Sequence, residues 1–178
     1  LARMPRAPRS KGPPSVALTR PPASSTRSGP AGTSHGLRCR SQEASFRKEV
    51  EAHTLFLQAS FAHSHGKPEE ALKIYRKLVA VKPDHQVGWE KMGTAYRELM
   101  RYDEALEAYQ KAIELDPSDP SSYYNMAATY ARLRKRDKML ETLNLAIKND
   151  GEFKDEALND PAFRDYWNDP SFKDLAEA

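Results

Sequence analysis

WEKMGTAYRELMRYDEALEAYQKAIELDP, residues 89–117, is the stretch that decides the fold of this chain. At helical spacing, one face of its first half carries Trp89, Met92, Gly93 and Tyr96, and after a break at 100–103 a second face carries Ala105, Tyr109 and Ala112. Because Gly93 has no side chain and Ala105 almost none, two helices can approach closely there while the aromatic rings fill the space on either side. Pro117 ends the second helix. The stretch therefore predicts an antiparallel helical hairpin.

The same pattern recurs about 34 residues upstream and downstream. The upstream copy consists of Leu55, Ala59, Ala71, Tyr75, Leu78 and Pro83, and the downstream copy of Tyr123, Met126, Ala127, Tyr130, Leu143 and Ala146. These positions resemble the signature of the tetratricopeptide-repeat (TPR) family over 52–151. The resemblance implies an all-α fold, a solenoid of antiparallel helix pairs with repeats at 52–85, 86–119 and 120–151.

The outer two repeats depart from the family pattern at four positions. Gln58 and Ala62 stand where the family prefers a large apolar residue and an aromatic ring. Met139 replaces a small residue of the second helix, and Gly151 replaces the closing proline. Terminal repeats are often atypical because one of their faces has no neighbour.

Helix signals outside the central hairpin complete the predicted helices. A helix is expected over 45–65, and Pro68 is expected to open the next one. Asp103 is the expected cap of the second central helix, and Asp119 is the expected cap of the third repeat. The basic run 132–138 is expected to be a solvated turn, with contact to phosphate or an acidic partner as the alternative.

The C-terminal segment 152–178 contains the same short motif twice. Asn159-Asp160-Pro161-Ala162-Phe163 is followed by Asn168-Asp169-Pro170-Ser171-Phe172. In each copy an Asp cap precedes a proline at the first helical position. The motif predicts two short helices whose aromatic residues cover the exposed side of the last repeat; a docking patch is the alternative.

Residues 1–42 differ in composition from the rest. They contain no Asp or Glu, and their eight basic residues are spread among Ser, Thr, Pro, Gly and Ala. We expect this leader to be disordered, because it buries too little apolar surface to offset its ordering entropy. An Arg-rich, Ser-rich, acid-free segment is also typical of an organelle transit peptide, with a basic nucleic-acid-binding arm as the alternative.

The run Gly-Leu-Arg-Cys-Arg-Ser at 36–41 resembles a plastid leader with its processing site near Cys39. The chloroplast, in its stroma or at the thylakoid surface, is therefore the expected location, and the mitochondrion is the alternative.

The charge of the chain is divided between the leader and the repeats. The whole chain has 28 basic and 25 acidic residues, and without the eight leader cations 20 remain against 25, a net charge of −5 after Gln42. The basic character thus belongs to the leader and does not point to a nucleic-acid partner for the repeats. Cys39 is the only cysteine, and no apolar run approaches the ~18 residues of a membrane span.

No residue pattern predicts an enzyme, a cofactor or a metal site. His53, His63 and His65 come nearest to a metal cluster, but the first two are about three helical turns apart and the last two point to different sides. The sequence has no Gly-rich phosphate loop and no nucleophile motif. We therefore expect neither catalysis nor a small-molecule substrate.

The resemblance instead implies recognition of a protein. In this family the first helices of successive repeats line a concave groove that binds an extended or helical segment of a partner. Carried over to this chain, the groove positions are Phe56, Ser60, His63, Glu90, Lys91, Thr94, Arg97, Tyr124, Asn125, Ala128 and Arg132.

The chemistry of these groove positions is mixed. Lys91, Arg97 and Arg132 are expected to receive acidic side chains or a C-terminal carboxylate. Asn125 is expected to bind a partner's backbone. Phe56 is expected, together with Tyr124, to hold apolar anchors.

Some family members bind the acidic C-terminus of a cytosolic chaperone through a clamp of Lys, Asn and Arg side chains. The corresponding positions here are Phe56, Ser60, Lys91, Ser121 and Asn125. Since the clamp is absent, the resemblance does not predict binding of a chaperone tail.

The sequence therefore favours a non-enzymatic adaptor, scaffold or assembly factor of the chloroplast that binds a protein partner. The alternative is a helical-repeat RNA-binding protein of an organelle. The acidic repeats and the match at Trp89, Gly93 and Ala105 argue against RNA. Self-association through the third repeat is a further possibility.

Overall fold

The computed structural model describes residues 34–177, and their side chains from residue 42 onward. The described chain folds into eight α-helices and one 3₁₀ helix, as follows: α1 Ser34–Ser64, α2 Pro68–Val81, α3 Gln86–Glu98, α4 Tyr102–Leu115, α5 Pro120–Arg132, α6 Arg136–Asn149, α7 Phe153–Asn159, the 3₁₀ helix Pro161–Tyr166, and α8 Pro170–Glu177. No helix in this part of the chain is both long and apolar enough to cross a membrane.

The helices pair as three antiparallel hairpins, α1 with α2, α3 with α4 and α5 with α6, and successive hairpins pack side by side. The backbone repeats as well as the sequence. The turn inside each hairpin has one residue with a left-handed conformation: Gly66 (φ 68°), Met100 (φ 57°) and Arg134 (φ 56°). These residues are 34 positions apart, so the predicted all-α solenoid of three repeats is confirmed.

The contact between α3 and α4 is built on Gly93 and Tyr109, as the sequence predicts. A Cβ atom added to Gly93 would lie only 2.7 Å from Cε1 of Tyr109. The ring of Tyr109 is fully buried, as are Ala105 and Ala112. Trp89 covers the edge of this core and donates its indole N–H to the carbonyl oxygen of Pro83 at 2.8 Å. Packing of the Tyr109 ring against Gly93 therefore holds α3 and α4 together.

Helix starts follow the predicted caps with one exception. Pro68 begins α2, and the Asp119 carboxylate accepts the backbone N–H groups of Ser121 and Ser122 at the start of α5. The prediction that Asp103 caps α4 was wrong, because Arg101 precedes the helix without a side-chain cap and Asp103 lies in its first turn. There it interacts with the positive end of the helix dipole.

The C-terminal segment closes the stack behind α6. Phe163 and Phe172, one turn into each Asp-Pro motif, are fully buried with ring centroids 5.8 Å apart. The guanidinium of Arg136 at the start of α6 donates to both carboxylate oxygens of Asp169 at 2.5 and 2.7 Å. The predicted aromatic cover is therefore present, although the first of the two predicted short helices is a 3₁₀ helix.

The N-terminal boundary differs from the prediction. Helix α1 begins at Ser34 instead of residue 45, so the last nine residues of the predicted leader are helical. Residues 1–33, on which most of the predicted transit peptide falls, lie outside the described residues. The earlier start has a local reason: from 34 to 50 the chain has no proline to interrupt a helix.

Candidate partner-binding groove

The first helices of the three hairpins, α1, α3 and α5, lie next to one another and are joined by side-chain bonds. His63 Nε2 on α1 lies 2.9 Å from Glu98 Oε1 on α3. Asn125 Nδ2 on α5 donates to Glu90 Oε1 on α3 at 3.3 Å. Because these bonds join neighbouring first helices, they fix the surface that α1, α3 and α5 present together. We call this surface the groove.

Two tyrosines of the second helices support the floor of the groove. The hydroxyl of Tyr75 lies 3.4 Å from Ser60 Oγ, and that of Tyr109 donates to Thr94 Oγ1 at 3.4 Å. Burial raises the pKa of both phenols, that of Tyr109 to about 12, although the nearby Arg97 charge acts in the opposite direction on Tyr109. Both phenols are therefore neutral near pH 7, and they hold Ser60 and Thr94 at the predicted groove positions.

Three predicted groove residues are buried, which corrects the expectation that all eleven face a partner. Glu90 is only 6% exposed and accepts from Lys91 Nζ at 3.1 Å. Tyr124 is 4% exposed, and Ala128 is fully buried. These side chains are covered because each lies at the contact between one first helix and the next element along the stack.

Tyr124 shows what covers the third hairpin. Its ring packs against Phe153 and Phe163, with centroids 4.8 and 5.6 Å away, and its hydroxyl donates to Asp160 Oδ2 at 3.1 Å. Burial, followed by the Asp160 charge, raises the pKa of Tyr124. The C-terminal segment thus occupies the place that a fourth first helix would take. Tyr124 cannot serve as an exposed anchor for a partner.

The remaining predicted side chains stay at least partly accessible. Phe56 is half-buried, with its ring centroid 5.4 Å from that of His85. Burial lowers the pKa of His85, so this imidazole is neutral near pH 7 and presents an apolar edge to Phe56. The other accessible members are Ser60, His63, Lys91, Thr94, Arg97, Asn125 and Arg132.

Cations concentrate where α3 and α5 end. Arg97 and Arg132 line one pocket of about 340 Å³ together with Glu98, Met100 and Tyr102. Among residues 42–177, no carboxylate oxygen lies within 4 Å of either arginine's side-chain nitrogens. The groove therefore has two positive groups near one cavity that are not neutralised by an ion pair.

Glu98 is the groove residue that the sequence prediction missed. Glu98 lies 34 residues before Arg132, one repeat length. It therefore occupies in the second repeat the position that Arg132 occupies in the third. Its Oε1 lies 2.9 Å from Nε2 of His63, and neither Arg97 nor Arg132 of the same pocket forms an ion pair with it. A register comparison of all three repeats would have found it.

The basic run 132–138 is divided between two roles. Arg136 holds Asp169 and Ser171 of the C-terminal segment, and Lys138 lies over the Tyr130 ring, 5.7 Å from its centroid. Only Arg132 of this run lines the groove pocket. Arg136 and Lys138 thus serve the internal packing of the third hairpin and its cover, whereas Arg134 and Lys135 are exposed, as predicted for a solvated turn.

The described side chains form no candidate metal site. Among residues 42–177, no group of three or more His, Cys, Asp or Glu side chains is placed to hold a metal ion. His63, one of the three histidines considered from the sequence, interacts with Glu98 instead.

Comparison with family models finds repeats at the positions set out above. Residues 93–133 match a model described as TPR repeat, and 52–85 and 120–153 match a model described as tetratricopeptide repeat. Together these matches cover more than half of the chain. No curated protein sequence matches it.

Solved structures with a similar fold include the following three. MamA aligns with a TM-score of 0.62 and 20% identity, covering 71% of this chain and 72% of MamA. The TPR2B domain of yeast Sti1, in a pHsp70 complex, aligns with a TM-score of 0.58 and 22% identity, covering 72% and 98%. The first TPR of Spaghetti (RPAP3), bound to the HSP90 peptide SRMEEVD, aligns with a TM-score of 0.58 and 17% identity, covering 72% and 92%. At these identities the likeness concerns the fold.

Proposed function

Because this chain belongs to the tetratricopeptide-repeat family, we propose that it is a non-enzymatic adaptor or assembly factor that binds a segment of a partner protein in the groove. The observation that carries this proposal is the pair Arg97 and Arg132, which line one groove pocket without a carboxylate partner among the described residues. Two arginines around a concave site favour a ligand with negative charge.

The ligand chemistry follows from the accessible side chains. Arginine binds carboxylates through two parallel N–H donors, so an acidic side chain or a free C-terminus suits the pocket. Asn125 is half-buried on α5, two helical turns before Arg132, and its side-chain amide can form hydrogen bonds to a peptide backbone. Phe56, at the other end, offers a half-buried ring for an apolar residue. We infer an extended peptide with an acidic end and an apolar residue several positions away.

The structural neighbours support a peptide partner but not the same peptide. In the RPAP3 structure, a TPR domain holds SRMEEVD, which contains three acidic residues. In this chain, the positions of the family's chaperone clamp carry Phe56, Ser60, Lys91, Ser121 and Asn125, and the arginines lie elsewhere. We therefore propose an acidic ligand of different sequence.

We also propose that the protein acts in the chloroplast stroma or at the thylakoid surface, with the mitochondrion as the alternative. The support is the acid-free, Arg- and Ser-rich composition of 1–42. A fluorescent protein fused behind residues 1–50 tests it. Accumulation in plastids is expected, whereas a diffuse or nuclear signal would contradict a transit peptide.

An array of peptides with free and amidated C-termini tests the groove proposal directly. We expect acidic peptides with a free carboxylate to bind at roughly micromolar strength, as single peptide-binding modules commonly do. The double variant Arg97→Glu, Arg132→Glu should lose this binding at least ~10-fold. The control Arg134→Glu, at an exposed position in the turn after α5, changes charge without altering the pocket lining and should bind normally.

The same titration separates a protein ligand from RNA. If the repeats bound single-stranded RNA, affinity would fall steeply with salt because counterions are released from phosphates. A steep salt dependence for an RNA oligonucleotide, with no peptide bound from the array, would contradict the adaptor proposal.

A further inference from the structure

Helix α1 carries an apolar stripe on the face that points away from the core. Four large side chains form it, and each is at least half exposed: Phe46 (70%), Val50 (51%), Leu57 (55%) and Phe61 (66%). On the opposite face, Ala52, Ala59 and Ala62 are buried against the rest of the first hairpin. The four residues occupy one side of the helical period as two pairs, with the exposed His53 and Thr54 between them. We call this surface the α1 stripe.

The repeat register shows that the α1 stripe includes a position that the other hairpins cover. Ala95 on α3 and Thr129 on α5 are equivalent to Phe61, at steps of 34 residues, and both are fully buried. They are covered because another hairpin precedes each of them along the stack. Beside Phe61 lies an open pocket of about 520 Å³ between α1 and α2, lined also by Leu57 and Ile74. The first hairpin therefore presents an end face that is suited to packing.

No other segment among residues 34–177 covers this face. An intramolecular cover would require an amphipathic helix, but the sequence before α1 is interrupted by Pro13, Pro14, Pro21, Pro22 and Pro30. Head-to-tail stacking of two copies is also blocked, because α7, the 3₁₀ helix and α8 close the other end of the stack around Phe163 and Phe172. An isologous contact, in which two copies use the same face, remains.

The spacing of the α1 stripe is symmetric. Its residues are separated by four, seven and four positions, so the pattern reads the same in both directions. When two α1 helices lie antiparallel about a two-fold axis between residues 53 and 54, Phe46 of one copy faces the second copy's Phe61. Val50 then faces the second copy's Leu57. Every large apolar side chain thus meets another, as a self-complementary interface requires.

Charge and area are compatible with this arrangement. The charged residues of the same segment, Arg47, Lys48, Glu49 and Glu51, lie outside the stripe. From the exposed fractions, the stripe offers on the order of 450 Å² of apolar surface per copy. Two copies contribute about 900 Å² before the flanking residues are counted, which approaches the 1,200–2,000 Å² of a stable interface.

From this surface we propose that the protein forms a two-fold symmetric dimer through antiparallel packing of the α1 stripe. The dimer leaves the groove arginines at the ends of α3 and α5 outside the contact, so each assembly carries two grooves. This inference does not depend on what the groove binds.

Sedimentation velocity of the full chain over a wide concentration range tests the proposal. We expect a species of twice the 20.1 kDa chain mass. Phe61→Glu and Leu57→Glu, both at exposed positions, should raise the dimer dissociation constant at least ~100-fold while the helical circular dichroism stays unchanged. Met100→Glu, at an apolar position that is 75% exposed but outside the stripe, is the matched control and should remain dimeric. A wild-type monomer at all concentrations, or a dimer that persists in Phe61→Glu, would overturn the proposal.

Disulfide trapping tests the antiparallel geometry. In a Cys39→Ser background, His53→Cys places a thiol beside the two-fold axis of both copies and should give a covalent dimer. Phe46→Cys should not, because antiparallel packing puts the two positions about 22 Å apart along the helix. Cross-linking by Phe46→Cys but not by His53→Cys would contradict the antiparallel arrangement.

Discussion

Replacing Gly93 with alanine is expected to have opposite effects on stability depending on whether the Tyr109 ring is present. In the wild type the new methyl carbon would lie 2.7 Å from the ring, and the fully buried ring has no solvent space to move into. Overpacking of this kind costs about 1–3 kcal/mol. The gain in helix propensity from Gly to Ala offsets about 1 kcal/mol. We therefore expect a net destabilisation of up to about 2 kcal/mol.

In the background variant Tyr109→Leu the ring is absent, and the expected effect of Gly93→Ala on stability changes from destabilising to stabilising. This variant gives the central hairpin the pairing of the third one, where Ala127 and Leu143 occupy the equivalent positions. Without the clash, Gly93→Ala should stabilise the protein by up to about 1 kcal/mol through helix propensity. The coupling between the two positions is then about 1–3 kcal/mol.

Urea unfolding followed by circular dichroism at 222 nm, on the wild type, both single variants and the double variant, measures this coupling. Gly151→Ala is the control, because a Cβ there would meet no atom within 4 Å, and it should change stability by less than about 1 kcal/mol. The first hairpin has Ala59 and Tyr75 at the positions of Gly93 and Tyr109, so this fold accommodates an alanine opposite a tyrosine. If α3 and α4 move apart slightly in the same way, the destabilisation by Gly93→Ala falls at the lower end of the about 0–2 kcal/mol expected. An equal effect of Gly93→Ala in both backgrounds would refute the reasoning.

Three further predictions follow from the turns and the C-terminal cover. Met100→Gly should raise stability by about 0.5–1 kcal/mol in urea unfolding, because Met100 is 75% exposed and held at φ 57°; a lower midpoint would contradict a strained turn. Phe163→Ala should cost about 3–5 kcal/mol and increase amide hydrogen exchange in the C-terminal segment first; unchanged exchange there would contradict its role as cover. Arg136 holds the pKa of Asp169 at about 2, below its usual 3.8. A lowered folded-state pKa contributes stability that is lost as pH falls from about 4 to about 2, so Arg136→Ala should show a smaller loss in that window, measured by unfolding at each pH.

The repeat pattern made the fold predictable from sequence, because each hairpin is stabilised by local contacts. Gly93 and Tyr109 are only 16 residues apart, and their spacing alone requires two close helices. The caps at Asp119, Asp160 and Asp169 are equally local, since each carboxylate binds backbone N–H groups two or three residues further on. Contacts between residues so close in sequence can be predicted from the sequence pattern alone.

The groove was less predictable, because its exposure depends on contacts between hairpins. Glu90 and Tyr124 occupy equivalent positions, and each is buried by the element that follows its own hairpin. Periodicity places such residues on a face but does not show what covers that face. Likewise, the bond between His63 and Glu98 joins residues 35 positions apart and is invisible to helical spacing. The early start of α1 at Ser34 shows a third limit, since the apolar periodicity used to predict this helix begins only at Phe46.

An NMR titration of the protein with the tightest peptide from the array tests the central claim most directly. If the first helices form the binding surface, the largest chemical-shift changes should appear at Lys91, Thr94, Arg97, Asn125 and Arg132. Residues exposed on the second helices, such as Leu115 and Leu145, should change little. Shifts concentrated on α2, α4 and α6, with Arg97 and Arg132 unaffected, would contradict the account.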